Sequence, residues 1–183
     1  MAGPLFRRAG RIAASMAAVM LAAPVAAAPC WAPAAIGAAR VQQFEIMLMS
    51  VSLRCRLVGV DLAGPFERFR EAHKARLESV LGVLEEHYGA RSSREGKRDL
   101  DHFVIQLANG FGGGRSDAAS CQGFGAVLAE LNATEHPAEA LETFAFAMVR
   151  DPFIDGPRCP PEAGEKGLAD QMPRRSAGST ARR

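Results

Sequence analysis

The stretch VQQFEIMLMSVSLRCRLV, residues 41–58, decides the fold because it joins a helical apolar repeat to a cysteine. Its apolar residues recur in alternating steps of three and four, which places them on one stripe of an α-helix. The stripe consists of Val41, Phe44, Leu48, Val51, Cys55 and Val58. A second apolar face is formed by Ile46, Met47, Met49 and Leu53. The pattern predicts a central helix from about Ala34 to Leu57, with Gly59 as its C-cap.

A second helix is predicted on the C-terminal side of this stretch. It begins at Pro65, a residue suited to the first turn of a helix. Its apolar stripe runs without a break through His73 to Leu84, and the polar loop HYGARSSREGK, residues 87–97, ends it.

Three further helices complete the predicted domain. The third carries an apolar stripe that ends at Phe111, and the fourth starts at Ser116 or Asp117, both competent N-caps. The fifth starts at Pro137 and breaks at DPFIDGP, residues 151–157. No window shows the alternation of a strand bounded by hairpin turns. Short connections favour antiparallel neighbours, so the predicted fold is all-α, an up-and-down bundle of about five helices.

The two ends of the chain differ in composition from this body. Three arginines precede an apolar run at residues 12–26, which is too short for a comfortable membrane span and is typical of a signal peptide. We expect residues 1–27 to be this signal, with cleavage after Ala27 and a periplasmic or secreted mature protein. Residues 28–160 then form the helical domain. Residues 161–183 lack periodic apolar side chains, so we expect a disordered tail.

Charge and aromatic content argue against a nucleic-acid partner. The predicted domain, residues 28–160, carries 14 Lys and Arg against 17 Asp and Glu, so its net charge is negative. The whole chain contains one Trp and one Tyr, which leaves little surface for base stacking. No segment beyond the signal is long and apolar enough to span a membrane, so none is expected in the mature protein.

All four cysteines lie beyond the predicted cleavage site, which in an exported chain indicates two disulfides with three possible connectivities. Cys30 and Cys55 flank the same helix and stand about 30 Å apart, too far to pair. Antiparallel packing brings Cys55 and Cys121 to the same end of the bundle, which leaves Cys30 and Cys159. The predicted pairs are therefore Cys55–Cys121 and Cys30–Cys159, both structural, and no C-x-x-C redox motif is present.

The glycine-rich stretch NGFGGGRSD, residues 109–117, admits two interpretations. Its amides and Arg115 could bind an anion at the start of the fourth helix. However, no Lys-Ser/Thr follows, as a phosphate-binding Walker loop requires, and no strand precedes, as a dinucleotide-binding loop requires. The stretch is therefore predicted to be a hinge between two helices.

Histidines and carboxylates form one candidate for a catalytic or metal site. His87 and His102 could meet near one loop with Asp99 or Asp101, a zinc constellation without a defining spacing. The prediction is that the chain has no catalytic, metal or cofactor site. The alternative is a small envelope enzyme, metal-dependent or not, that uses His87, His102 and Asp101.

A third hypothesis comes from the methionines of the first helix. Met47 and Met49 suggest a helical pocket for an apolar ligand, although extra methionine is more often core filler.

Two segments carry a resemblance to a known group of proteins: LMSVSLRCRLVGVDL, residues 48–62, and GRSDAASC, residues 114–121. Together with Cys30 and Trp31 they resemble an uncharacterised family of small exported, four-cysteine helical proteins of alphaproteobacteria, over most of residues 30–131. Some members carry the name S-adenosyl-L-homocysteine hydrolase. That name does not fit here, since the genuine enzymes are larger, intracellular and dinucleotide-dependent, and this chain lacks the strand–GxGxxG–helix unit.

These observations lead to one functional hypothesis. We expect an exported helical protein that acts as a non-catalytic binding or interaction module in the cell envelope, with a partner or ligand that the sequence does not name.

Overall fold

A computed structural model describes residues 30–160 of the 183-residue chain. The expected signal peptide, residues 1–27, and the expected disordered tail, residues 161–183, lie outside the described residues. Six α-helices form the described part: α1 (Pro33–Cys55), α2 (Ala63–Ala72), α3 (Lys74–His87), α4 (Arg94–Gly112), α5 (Ala118–Ala133) and α6 (Pro137–Met148). This part of the chain contains no β-strand, so the predicted all-α fold class is confirmed.

Helix α1 is the central element and packs against the five other helices. Its predicted stripe is buried from Val41 to Cys55, with Phe44 and Leu48 almost fully enclosed, whereas Val58, beyond the end of the helix, is 40% exposed. The second apolar face is buried only in part, since Leu53 remains 60% exposed. After Cys55 the chain makes a single 3-10 turn, Arg56–Val58, and Gly59 at φ 81° ends it in the predicted capping role.

The predicted second helix is divided into α2 and α3 at His73, so the bundle has six helices where about five were expected. The His73 ring is buried, and its Nε2 lies 3.1 Å from the backbone oxygen of Leu131 in α5. Phe69 packs against the same ring at 4.9 Å between centroids. This tertiary contact holds His73 at a non-helical φ of −104° and ψ of 7°, which breaks the helix.

Side-chain caps begin α4 and α5. Ser93 Oγ accepts a hydrogen bond from the backbone N–H of Gly96 at 2.9 Å. Asp117 Oδ1 accepts one from Ser120 at 2.7 Å, and this bond lowers the pKa of the carboxyl. The predicted fourth helix is α5 of the structure, and of its two predicted N-caps, Ser116 and Asp117, it is Asp117 that occupies the position. Pro137 begins α6 as predicted.

Both predicted disulfides are present. Cys55–Cys121 links the end of α1 to the first turn of α5, and both residues are 0% exposed. Cys30–Cys159 joins the two ends of the described chain and is partly exposed on both sides. The sequence separation is 66 residues for Cys55–Cys121 and 129 residues for Cys30–Cys159. The loop that Cys30–Cys159 closes therefore contains nearly all of the described residues.

The chain after α6, residues 149–160, crosses the molecule without helix or strand, and we call it the strap. It pairs with Trp31 through two backbone hydrogen bonds, from Trp31 N to Pro157 O at 2.8 Å and from Cys159 N to Trp31 O at 2.9 Å. Gln43 holds its middle, because the side-chain amide exchanges two hydrogen bonds with the backbone of Phe153, at 2.9 and 2.8 Å. Within residues 30–160, none of the helices combines the length and apolar character needed to cross a bilayer.

Candidate functional site

A groove of about 620 Å³ runs along the N-terminal half of α1, between α3 and α6. Its apolar surface comes from small and β-branched residues: Ala34, Gly37, Ala38, Val41, Val80 and Val83. The four from α1 follow the i, i+3, i+4, i+7 spacing of one helix face. Small side chains on this face leave the space between the two flanking helices unfilled.

Gly37 lies in the floor of this groove. A Cβ atom built at Gly37 meets no other atom within 4 Å, so the floor is open at this point. Glycine in the interior of a helix costs about 0.5–1 kcal/mol relative to alanine. Glycine at position 37 therefore makes α1 less stable than alanine would, although an alanine side chain would fit there.

The walls of the groove carry charge. Arg76 of α3 and Glu142 of α6 form an ion pair across it. Arg40 of α1 stacks its guanidinium 4.9 Å from the ring centroid of Phe146, which is 61% exposed, and donates from Nε to the backbone oxygen of Val149 at 3.0 Å. Two arginines against one glutamate leave the walls net positive. An apolar floor between cationic walls suits a ligand with an apolar body and an anionic end.

Met47 and Met49, on which the sequence placed the apolar-pocket hypothesis, are not among the residues that line this groove. Met47 packs against the core, and Met49 lies on the exposed part of the second apolar face of α1. The groove depends instead on the small residues Gly37 and Ala38. Their spacing was visible in the sequence and is the signal that could have found it.

A polar and aromatic cluster holds the strap at the other side of α1. The rings of Trp31 and His87 lie 4.0 Å apart. Asp155 of the strap accepts hydrogen bonds from Trp31 Nε1 at 3.1 Å and from the Tyr88 hydroxyl at 2.9 Å. Burial, and then the Asp155 carboxylate, raise the pKa of Tyr88 far above its usual value. Both carboxylate oxygens are committed to these donors, so the cluster fastens the strap.

His87 does not join His102 in a metal site. His102 lies on the exposed face of α4, with its Nε2 at 3.4 Å from the side chain of Gln106. Across residues 30–160, no three His, Cys, Asp or Glu side chains come close enough together to hold a metal ion. The structure therefore does not assemble, as a metal site, the alternative constellation of His87 and His102 with Asp99 or Asp101.

The environment of His87 predicts a pH dependence of stability. Burial lowers the pKa of His87 below its ordinary 6.5, against the opposing field of Asp155. A depressed folded-state pKa means that the unfolded chain binds the proton more tightly, so stability is highest above 6.5 and falls as the pH drops towards the folded pKa. We expect the free energy of unfolding to be lower at about pH 5 than at about pH 8. Urea titrations followed by the fluorescence of Trp31 measure it.

His87→Gln should reduce this pH dependence, and His102→Gln, at an exposed position, should leave it unchanged. An equal pH dependence in all three proteins would show that His87 does not contribute.

The glycine-rich stretch begins inside α4, which ends at Gly112, and only residues 113–117 form the turn to α5. Its polar groups face Arg54. The Arg54 guanidinium donates to the backbone oxygens of Phe111 and Gly113, the latter at 3.0 Å, and to Ser116 Oγ at 3.2 Å. The turn thus presents carbonyl oxygens to a cation, whereas an anion site would present its amides. Arg54, which directly precedes the buried Cys55, therefore joins the end of α1 to the end of α4.

The fold and the groove define a small all-α domain in residues 30–160, fastened by two disulfides and carrying an open surface groove. Comparison with protein-family models gives no match for this chain, and neither curated proteins nor solved structures match it.

Proposed function

We propose that this protein is an exported, non-catalytic binding module of the cell envelope, related to the four-cysteine helical proteins that it resembles. The observation that carries the proposal is the groove between α1, α3 and α6, with its open floor at Gly37. Two disulfides support an oxidising compartment, because such bonds rarely persist in the cytosol. The N-terminal pattern of arginines and a short apolar run supports export.

The ligand class follows from the lining of the groove. Its volume of about 620 Å³ lies within the range of small-molecule sites, roughly 300–1,000 Å³. An alkyl or acyl chain would lie on the floor beside Gly37 and Val41. A carboxylate at its end would meet Arg40 or Arg76 on the walls. The ligand that we propose is therefore an anionic amphiphile bound in the groove.

Filling the floor of the groove tests the site without damaging the fold. Gly37→Leu places a side chain into open space, so we expect it to fold at least as stably as the wild type. It should weaken binding of dansyl-labelled undecanoate by roughly tenfold or more, because the added side chain occupies the volume of the acyl chain. Fluorescence titration of the probe and urea unfolding give the two quantities.

Gly110→Leu is the matched control, since Gly110 is also a helical glycine with open space around its Cβ but lies outside the groove. Equal binding of the probe by Gly37→Leu and the wild type would contradict the groove as the site. Photocrosslinking from position 146 to another protein, abolished by Gly37→Leu, would instead identify a protein segment as the occupant.

The enzyme alternative has its own measurement. Stoichiometric zinc in the purified protein that is lost in His102→Ala would support the envelope enzyme using His87, His102 and Asp101, and would overturn the proposal.

A further inference from the structure

We propose that the Cys30–Cys159 disulfide is a redox-controlled clasp, opened by a dithiol reductant of the envelope, and that its opening frees the strap and alters the groove through Arg40. The first two steps concern the disulfide and residues 149–160 alone. The last step rests on the proposed function of the groove.

The two disulfides differ in access. Thiol–disulfide exchange requires a thiolate to reach one of the two sulfur atoms. Cys55 and Cys121 are 0% exposed, so no external thiol reaches them in the folded protein. Cys30 and Cys159 are both partly exposed at the end of the domain. A reductant that meets the native protein therefore attacks the clasp and leaves the buried disulfide intact.

The clasp is the covalent part of a strap that is otherwise held by a short series of contacts. These include the two backbone bonds to Trp31, the two side-chain bonds of Gln43 to Phe153, and the bonds that Asp155 accepts. Phe153 also stacks on Phe103, at 6.1 Å between ring centroids. Once the disulfide is reduced, the strap is a segment without helix or strand that only these non-covalent contacts hold, and such segments open locally before the rest of a fold does.

Arg40 connects the strap to the groove. Its Nε donates to the oxygen of Val149, the first residue of the strap, while its guanidinium lies over Phe146 on the groove wall. When the strap leaves, this guanidinium loses a carbonyl partner and becomes available to an anion in the groove. Opening of the clasp should thus favour an anionic ligand. By linkage, a bound anion should favour opening of the clasp.

The reduction of the Cys30–Cys159 disulfide is balanced by the oxidation of the dithiol. One of its thiolates attacks Sγ of Cys159 or Cys30, the S–S bond breaks, and the released cysteine leaves as a thiolate that takes a proton. The second thiol of the reductant then attacks the mixed disulfide. Cys30 and Cys159 end as thiols, reduced by two electrons, and the dithiol ends as a disulfide.

Reduction of the folded wild-type protein tests the clasp directly. The protein is incubated with dithiothreitol, alkylated at intervals and mapped by mass spectrometry. We expect Cys30 and Cys159 to be alkylated roughly tenfold or more faster than Cys55 and Cys121. Equal rates, or faster reaction at Cys55 and Cys121, would overturn the proposal, and neither result involves ligand binding.

Hydrogen exchange of the selectively reduced protein tests the strap. The strap amides that are hydrogen-bonded to the rest of the domain, those of Phe153 and Cys159, should exchange roughly tenfold or more faster than in the oxidised protein, while those of α1 keep their protection. Unchanged exchange in residues 149–160 would show that the clasp does not control the strap. Because wild-type protein is used, the result does not depend on whether a Cys30→Ser/Cys159→Ser variant folds.

The link to the groove is measured with dansyl-labelled undecanoate. The reduced protein should bind it several-fold more tightly than the oxidised protein, and Arg40→Gln should remove the difference. Binding of the probe in both states with equal affinity would overturn the coupling while leaving the proposed function intact. No binding in either state would refute the proposed ligand class, whereas the alkylation and exchange results would still decide on the clasp.

Discussion

Replacing Cys55 and Cys121 together by alanine will lower the free energy of unfolding by about 4 kcal/mol. The disulfide closes a loop with a sequence separation of 66 residues. On the chain-entropy model, removing such a crosslink increases the conformational entropy of the unfolded chain and thereby lowers its free energy by about 4 kcal/mol. The loss is a large share of the 5–15 kcal/mol that holds a typical domain folded. Both positions are fully buried. Because alanine has no polar side-chain atom, the substitution leaves no unpaired polar group there.

Urea denaturation measures this change, and the slope of the free energy against urea identifies its cause. Without the crosslink the unfolded chain is more expanded, so the slope should increase together with the loss of stability. A loss of stability with an unchanged slope would attribute the effect to packing around the sulfur atoms. A loss below about 1 kcal/mol would contradict the expected role of the disulfide.

Gly96→Ala will be the most damaging glycine-to-alanine change among the helical glycines of residues 30–160. Gly96 lies in the first turn of α4, directly against the turn that follows α3. A Cβ at this position would clash with the backbone oxygen of Tyr88 and would stand only 2.7 Å from the carbonyl carbon of Gly89. Hydrogen bonds from Ser92 and Ser93 to the oxygen of Gly89 hold that backbone in place.

The clash should cost about 3 kcal/mol, because neither backbone can move away without breaking the turn. Gly110→Ala is the matched change, since the same helix has open space at that position and alanine should there raise the stability by up to about 1 kcal/mol. Thermal unfolding of the two variants beside the wild type gives the comparison. A neutral Gly96→Ala would show that α3 and α4 can separate at this turn at little cost.

The helical bundle and its crosslinks could be predicted because they depend on local or simple geometric signals. The apolar stripe around Phe44 specifies α1, and the length of that helix alone excludes a bond between Cys30 and Cys55. The break at His73 could not be predicted in this way. It depends on a hydrogen bond to Leu131, 58 residues away, and the apolar spacing continues through the break.

The candidate site was harder to predict than the fold. Methionine directed attention to Met47 and Met49, whereas the groove results from missing side-chain volume at Gly37 and its small neighbours. The spacing of these small residues marks one face of α1 in the sequence, but whether that face stays open depends on where α3 and α6 lie. Arg54 is a similar case, since its role follows from carbonyl oxygens that lie 57 and 59 residues further along the chain.

The pairing of Cys30 with Cys159 has a topological consequence. The Cα atoms of these residues are 4.8 Å apart, so the domain enters and leaves at a single point on its surface. A host protein could accept the whole unit within one of its loops, and circular permutation would need only a short linker at this junction. We expect such an insertion to keep the path of the chain between Cys30 and Cys159, and with it the groove, because both ends of the inserted unit already lie side by side.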